Sequence, residues 1–228
     1  TEVVKRFREM ISMKELEDWY RKLLDEYHKW LSYQLRWKKE RNQSLWNLEF
    51  PFSYREGQRK LVSSVYHAIG VNRQIFIQAP TGVGKTMSTI FPAVRAVGEG
   101  KGETIFYLTA KTITRTVAQE AFEVLREKGM KYKVVTITAK EKLCFMDETK
   151  CDPGYCPYAR GHFDRVNDAV YELWTTKSRY DRETIQEQAR KWQVCPFEMC
   201  LDLAVWVDAV ICDYNYVFDP TVHLKRFF

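Results

Sequence analysis

Polar and apolar positions in the first fifty residues repeat with the period of a helix. Ser12 followed by Glu15 is typical of a capping box, in which each side chain accepts the free backbone N–H of the other residue. After it, apolar and aromatic residues recur at steps of three and four positions: Leu16, Trp19, Tyr20, Leu23, Leu24, Tyr27, Trp30 and Leu31. Residues 1–50 contain neither Gly nor Pro and are predicted to form an amphipathic helical segment. Its aromatic face either docks on the domain core or belongs to a stalk that joins an upstream domain.

Beyond Gln74 the pattern changes to short β-prone runs that alternate with helical stretches. The predicted strands are Ile75–Ile77, Thr104–Leu108, Val134–Ile137 and Val205–Cys212. The predicted helices are 85–97, 114–128, 164–180 and 182–193. Strands that alternate with helices favour an α/β fold with a doubly wound parallel sheet. Because the interval between the last two strands is too long for a simple crossover, residues 144–200 are predicted to be an insertion between 51–143 and 201–228.

Composition narrows the class of protein. The chain has 228 residues, of which 45% are hydrophobic and 29% charged, so it is long and apolar enough for one compact core and unlike a disordered chain. No apolar run approaches the roughly 18 residues of a membrane span, and the N-terminus lacks the apolar core of a signal peptide. These features predict a cytoplasmic protein without a membrane partner. The formal net charge of +6 permits nucleic-acid binding but does not require it.

Six cysteines are confined to the second half of the chain: Cys144, Cys151, Cys156, Cys195, Cys200 and Cys212. A secreted disulfide framework occurs in short, loop-rich chains, and this chain is neither. Clustering in a reducing compartment favours a metal site instead.

An eight-residue motif follows the first predicted strand and opens a predicted helix: Ala79-Pro80-Thr81-Gly82-Val83-Gly84-Lys85-Thr86. This is the context of a phosphate loop, in which glycines let consecutive N–H groups converge on a phosphate. Lys85 is suited to the β- and γ-phosphates, and the Thr86 hydroxyl to Mg²⁺. The strict pattern begins with glycine, whereas this loop begins with Ala79. The alternative to nucleotide binding is a chance Gly-rich turn.

A second segment lies about twenty residues upstream of the loop. Gln58 offers a donor and an acceptor, which suits the N6 and N7 edge of adenine. Tyr54 or Arg55 could stack on the base. The segment therefore favours ATP over GTP.

With these residues in hand, the chain resembles the first motor half of an iron–sulfur helicase of superfamily 2, in the XPD and DinG group. The resemblance covers residues 50–228 and runs co-linearly through the Gln58 segment, the phosphate loop, residues 108–112, residues 136–144, residues 194–197 and residues 212–220. It implies a RecA-like P-loop fold, ATP and Mg²⁺ as cofactors, and a helical insertion that carries a [4Fe-4S] cluster. It further implies 5′ to 3′ movement along single-stranded DNA, with the cluster beside the single-strand/duplex junction.

Four thiolates hold such a cluster, and we assign them to Cys144, Cys151, Cys156 and Cys195, with spacings C-x₆-C-x₄-C-x₃₈-C. Zinc remains an alternative, although the tight C-x₂-C knuckles of structural zinc sites are absent and His162 would have to substitute as a ligand. We interpret Cys200 as a spare thiol and Cys212 as a core residue.

DNA contacts are expected where predicted strands end. Lys111 and Thr112 follow the second strand and could hold phosphates of a single strand, and Thr138 and Lys140 are further candidates. Such contacts position a strand without reading its sequence.

Two parts of a helicase motor are not found in the sequence: an acidic pair for Mg²⁺ and water, and an arginine finger from a second motor domain. Asp213 ends an apolar strand, but Tyr214 follows where the resemblance would place a glutamate. The chain is therefore expected to be a fragment that acts with the remainder of the helicase chain in cis and hydrolyses ATP inefficiently alone. The alternatives are a P-loop nucleotide-binding regulator with a zinc-stabilised insert and a nucleic-acid-binding module with a vestigial phosphate loop.

Overall fold

The computed structural model describes residues 8–110 and 112–227 and divides the chain into two compact units, with the boundary between Trp37 and Lys38. Helix α1 runs from Met13 to Trp46. Directly before it, the Ser12 N–H donates to Glu15 Oε2 over 2.8 Å, and the Glu15 N–H donates to Ser12 Oγ over 3.2 Å. These are the reciprocal hydrogen bonds of the predicted capping box.

The second unit alternates helices and strands. Its elements are α2 (Gln58–Gly70), α3 (Lys85–Gly98), β1 (Ile105–Thr109), α4 (Thr112–Glu127), β2 (Val134–Thr136), α5 (Lys140–Leu143), α6 (His162–Thr176), β3 (Arg179–Tyr180), α7 (Arg182–Trp192), α8 (Pro196–Ala204), β4 (Ala209–Asp213) and α9 (Asn215–Phe218). Within the described residues, no helix has both the length and the apolar character needed to cross a membrane.

The four strands form one parallel sheet in the order β1-β4-β2-β3. Successive side chains of a strand point to opposite faces. In β4, Ala209 and Ile211 join the core formed with α3 and α4, while Val210 and Cys212 are equally buried on the other face. The predicted α/β fold with a parallel sheet is confirmed, and its inner strand β4 is buried on both faces.

The predicted strand at Ile75–Ile77 is wrong in this structure. The segment is neither helix nor strand, and the Phe76 side chain is 95% exposed. A strand needs a neighbouring ladder to pair its backbone groups, and no described strand pairs with this segment. The predicted strand at 205–212 is shorter than expected, because β4 begins only at Ala209.

The cysteine-bearing region contributes to the sheet. Helix α6 ends at Thr176 rather than at 180, and the chain then forms β3, which pairs with β2 in parallel. Residues 144–200 therefore lie in the same compact unit as the rest of the sheet. The domain boundaries 51–143, 144–200 and 201–228 stay a prediction.

A buried polar network crosses the second unit. Arg41 Nη1 lies 2.8 Å from Asp208 Oδ1, and Asp208 Oδ2 accepts the backbone N–H of Lys133 over 2.8 Å. The Lys133 ammonium donates to the carbonyl oxygens of Trp174 and Lys177 at the end of α6. The network links the end of α1, the sheet and α6.

Candidate functional site

Residues 79–84 form a loop that leads directly into α3. Gly82 and Gly84 adopt φ values of 88° and 80°, a left-handed region that side chains with a Cβ rarely enter. A Cβ at Gly84 would lie 2.6 Å from Gln58 Nε2, so the position needs glycine for its backbone conformation, and any other residue would also have to displace the Gln58 amide. The loop therefore has the backbone shape that a phosphate loop requires.

The reactive side chains of the loop lie at the start of α3. Lys85 Nζ donates to the carbonyl oxygens of Ala79 and Pro80, each over 2.9 Å, and the lysine is exposed. Thr86 is half-buried beside it, as is Val83, whereas Thr81 is exposed. The ammonium thus lies across the loop, where a bound phosphate could replace the two carbonyl oxygens as its partner.

The three residues predicted to bind adenine lie at the start of α2 or just before it. Gln58 is 4% exposed, and its Oε1 accepts the Arg55 N–H over 3.0 Å. Arg55 Nη1 donates to the carbonyl oxygen of Gly82, and the Tyr54 ring stacks on Phe50 with centroids 4.4 Å apart. A role of these three residues in adenine binding stays a prediction.

A cleft of about 760 Å³ opens beside the loop. Its walls include Ala79, Pro80, Gly82 and Val83 on one side and residues of α2, among them Lys60 and Ser64, on the other. This volume lies within the ordinary range of small-molecule sites.

The four predicted cluster ligands surround one cavity. Cys144, Cys151, Cys156 and Cys195 all line a space of about 240 Å³ between α5, the segment before α6, and the start of α8. They come from positions up to 51 residues apart, and the fold brings them together. All six cysteines are free thiols.

Hydrogen-bond donors surround these sulfurs. Cys195 is the residue directly before α8, and burial raises the pKa of its thiol, against the opposing influence of the backbone N–H groups of Glu198 and Phe197. Lys140, for which the sequence predicts a DNA contact, also lines this cavity, and that DNA contact stays a prediction. A hydrogen bond with Cys151 raises the pKa of the Lys140 ammonium. This environment suits thiolates, because N–H donors and cations stabilise negative sulfur.

His162 also lines the cavity and is 4% exposed. Its Nδ1 accepts the backbone N–H of Cys195 over 3.2 Å, and burial lowers the pKa of the ring. Sequence reasoning considered this histidine only as a substitute ligand, because a contact between positions 33 residues apart leaves no local signal.

The described side chains around the cavity do not form a site for a single metal ion. Among residues 8–110 and 112–227, no three His, Cys, Asp or Glu side chains converge on one point closely enough to hold a metal ion. A cubane cluster binds each thiolate to a different iron, so its four sulfurs stand apart around a space. Four cysteines around one cavity fit that arrangement better than a zinc ion.

The remaining two thiols lie elsewhere. Cys200 and Cys212 are fully buried, do not line the cavity, and have pKa values raised by burial to about 12. Both therefore behave as core residues.

A polar cleft of about 400 Å³ lies where β2 ends beside α4 and α7. Thr138 lines it with four cationic side chains, Arg115, Lys142, Arg179 and Arg182, and with two acidic ones, Asp181 and Glu183. Of the other predicted DNA contacts, Lys111 lies outside the described residues, and Thr112 is the first residue of α4.

Two protein-family models match the chain. The DEAD/DEAH box helicase model matches residues 55–152, which include the phosphate loop, and the DEAD_2 model matches residues 127–226, which include the four cavity cysteines.

A curated relative points the same way. A probable ATP-dependent helicase of Methanocaldococcus jannaschii is 24% identical over 169 residues, which are 72% of this chain and 24% of the relative. The chain thus spans about a quarter of the length of the relative that it matches. Together with the parallel sheet, these matches support a superfamily 2 helicase.

Proposed function

We propose that this chain is the N-terminal part of the first motor domain of an ATP-dependent DNA helicase of the XPD/DinG iron–sulfur group, which moves 5′ to 3′ along single-stranded DNA. One observation carries the proposal: a loop with two glycines at positive φ and a cavity lined by four cysteines occur in the same compact unit, which also contains the parallel sheet. The family matches and the helicase relative add support at the level of the superfamily.

The phosphate loop would bind ATP and Mg²⁺ through groups that are already in place. The N–H groups at the start of α3 and the partial positive charge of that helix end favour a phosphate. Lys85 would exchange the Ala79 and Pro80 carbonyl oxygens for phosphate oxygens, and the Thr86 hydroxyl would hold Mg²⁺.

Cys144, Cys151, Cys156 and Cys195 would hold a [4Fe-4S] cluster as thiolates. When bound, the cluster supplies a covalent cross-link and a one-electron redox centre. Three of the ligands lie in residues 144–161, a segment without helix or strand, and the fourth lies at the start of α8. The thiolates would therefore tie an irregular segment to a packed helix.

Single-stranded DNA and single-strand/duplex junctions are the proposed partners. The cleft at the end of β2 has an excess of cationic side chains, and phosphate contacts of Arg and Lys position a strand without reading its bases. The sequence proposes four residues for contacts with the phosphate backbone of DNA: Lys111, Thr112, Thr138 and Lys140. The remainder of the helicase chain in the same polypeptide would supply the acidic pair, and a second motor domain within it would supply the arginine finger. The whole helicase would act in the cytoplasm.

The cluster is tested by assaying iron and acid-labile sulfide in anaerobically purified protein, together with absorption near 400 nm. We expect four irons per chain, and loss of the absorption in Cys151→Ser but not in the matched control Cys200→Ser. A colourless, iron-free wild-type protein would refute the iron–sulfur assignment.

The helicase activity is tested with the full-length protein that contains this chain. We expect ATP-dependent displacement of a strand from a duplex with a 5′ single-stranded tail and none from one with a 3′ tail. Lys85→Ala should abolish both ATP binding and displacement while leaving the iron content unchanged. Preference for the 3′ tail would contradict the proposed polarity and leave the nucleotide site intact.

A further inference from the structure

A histidine that lines the cavity between the four cysteines has a ring nitrogen without a hydrogen-bond partner among the described residues. His162, the first residue of α6, is almost completely buried and lines the cavity. Its Nε2 has no hydrogen-bond partner among residues 8–110 and 112–227. Buried polar atoms in folded proteins nearly always have a partner, so this one indicates something that the cavity is built to receive.

The other ring nitrogen determines where the proton lies. The backbone N–H of Cys195 is a donor under all conditions, and Nδ1 of His162 lies 3.2 Å from it. Nδ1 therefore keeps its lone pair, and the neutral ring carries its hydrogen on Nε2. A protonated Nε2 cannot act as a metal ligand, so His162 is a hydrogen-bond donor and not a substitute for a cysteine.

The chemistry of the cavity specifies the acceptor. The Lys140 ammonium lines the cavity, and the backbone N–H groups of Phe197 and Glu198 lie at the start of α8, directly after Cys195. All of them are donors. A fourth donor at Nε2 therefore requires an electron-rich acceptor, which the thiolates and inorganic sulfides of an iron–sulfur cluster provide.

We propose that the His162 Nε2–H donates a hydrogen bond to a sulfur of the cluster, while Nδ1 positions the backbone of the ligand Cys195. The proposal depends on the cluster proposed above. Hydrogen bonds to cluster sulfurs stabilise the more negative reduced form, so His162 raises the reduction potential.

Two substitutions separate the two ring nitrogens. The amide oxygen of His162→Asn matches the position of Nδ1 and keeps an acceptor for the Cys195 N–H, but no donor reaches the cavity. The amide nitrogen of His162→Gln matches the position of Nε2 and keeps the donor. The midpoint potential is measured at fixed pH by stepwise reduction with dithionite, which delivers one electron to each cluster.

We expect His162→Asn to shift the one-electron equilibrium about tenfold toward the oxidised cluster, which lowers the midpoint by about 59 mV. His162→Gln should stay near wild type. Equal midpoints in the wild type and the Asn variant, or an equal fall in both variants, would overturn the proposed donor.

Iron and sulfide are assayed first, in the wild-type protein. Their absence refutes the cluster and this proposal with it, whereas a complete cluster with an unshifted midpoint refutes only the role of His162.

A measurement on the wild-type chain does not depend on the folding of any variant. With ¹⁵N-labelled histidine, electron–nuclear double resonance of the reduced cluster should show one weakly coupled nitrogen, as a hydrogen bond through Nε2 predicts. A strong coupling typical of a directly bound nitrogen, or no coupling at all, would each overturn the proposal.

Discussion

At the scale of single residues, Gly84 lies directly before α3 and close to Gln58, the first residue of α2. Replacement by alanine puts a Cβ into the left-handed region and 2.6 Å from Gln58 Nε2. We expect Gly84→Ala to lower the free energy of unfolding by about 2–4 kcal/mol, since about 1–2 kcal/mol comes from the backbone and the rest from the contact. Urea unfolding followed by circular dichroism measures this change.

Gly82→Ala is the matched control, because Gly82 has the same backbone conformation and nothing within 4 Å of the added Cβ. It should lose only the backbone contribution. Gln58→Ala in the Gly84→Ala background should recover part of the difference, since it removes the obstructing amide. Equal losses at Gly82 and Gly84 would show that the contact with Gln58 has no energetic weight.

The sequence predicts residues whose role depends on local spacing better than residues that act through distant contacts. The phosphate loop is recognisable because its glycines, lysine and threonine are neighbours. Cys144, Cys151 and Cys156 are recognisable because they cluster. The pairing of Arg41 with Asp208 joins positions 167 residues apart, so it depends on the tertiary fold and leaves no local signal.

The Arg41–Asp208 pair gives a second prediction. Both side chains are about 5% exposed, so removal of the guanidinium leaves a buried carboxylate without its countercharge. We expect Arg41→Met to lower the free energy of unfolding by about 3–5 kcal/mol. Lys38→Met, which breaks the exposed pair with Glu103, should cost less than about 1 kcal/mol in the same urea titration. Similar losses in both variants would contradict the importance of burial.

At the scale of elements, periodicity predicts the helices and the strands that are paired. The predicted helices at 85–97 and 114–128 correspond to α3 and α4, and the runs at 104–108 and 134–137 correspond to β1 and β2. The run at 75–77 has the same apolar character but no described partner strand, so local composition alone misidentifies it. The two-residue β3 is too short to leave a period, and its pairing with β2 depends on where α6 ends.

The buried Lys133 donates hydrogen bonds to carbonyl oxygens at the end of α6. Its position predicts that the stability of the fold depends on pH. Burial lowers the pKa of Lys133 from 10.5 to about 8, against the opposing influence of Asp208. Between these two values the unfolded chain holds a proton that the folded chain has released, so stability rises as the pH increases. From pH 7.5 to 9.5, the wild type should gain about 2 kcal/mol relative to Lys133→Met.

The measurement is a series of urea titrations at both pH values for the wild type, Lys133→Met and the control Lys131→Met. The control removes an exposed lysine that pairs with Glu40. Arg126 and Glu40 also influence Lys133 and are present in all three proteins. A Lys133→Met series that parallels the control across this range would contradict a depressed pKa.

At the scale of the whole second unit, the proposed cluster would hold in place a segment, residues 144–161, that forms neither helix nor strand. Between the end of α5 at Leu143 and the start of α6 at His162, the structure has neither helix nor strand, and this segment holds three of the four cavity cysteines. Helices α6, α7 and α8, in contrast, are packed against one another and bury apolar side chains such as Val170, Leu173 and Ile185. With the proposed cluster bound, local stability would depend on metal in the first segment and on hydrophobic packing in the second.

Removal of the cluster should consequently open the segment 144–161 and leave the helices that follow it folded. After mild oxidation and chelation, we expect trypsin to cut first at Lys150 and Arg160, at least about tenfold faster than in the intact protein, because the thiolates no longer restrain the segment. Arg190 and Lys191 in α7 are the internal control and should remain protected. Cys144→Ser should show the rapid cleavage without chelation, and Cys200→Ser should not. Simultaneous cutting in α7 would mean that the cluster stabilises the whole unit, and unchanged cutting at Lys150 would mean that no metal restrains the segment.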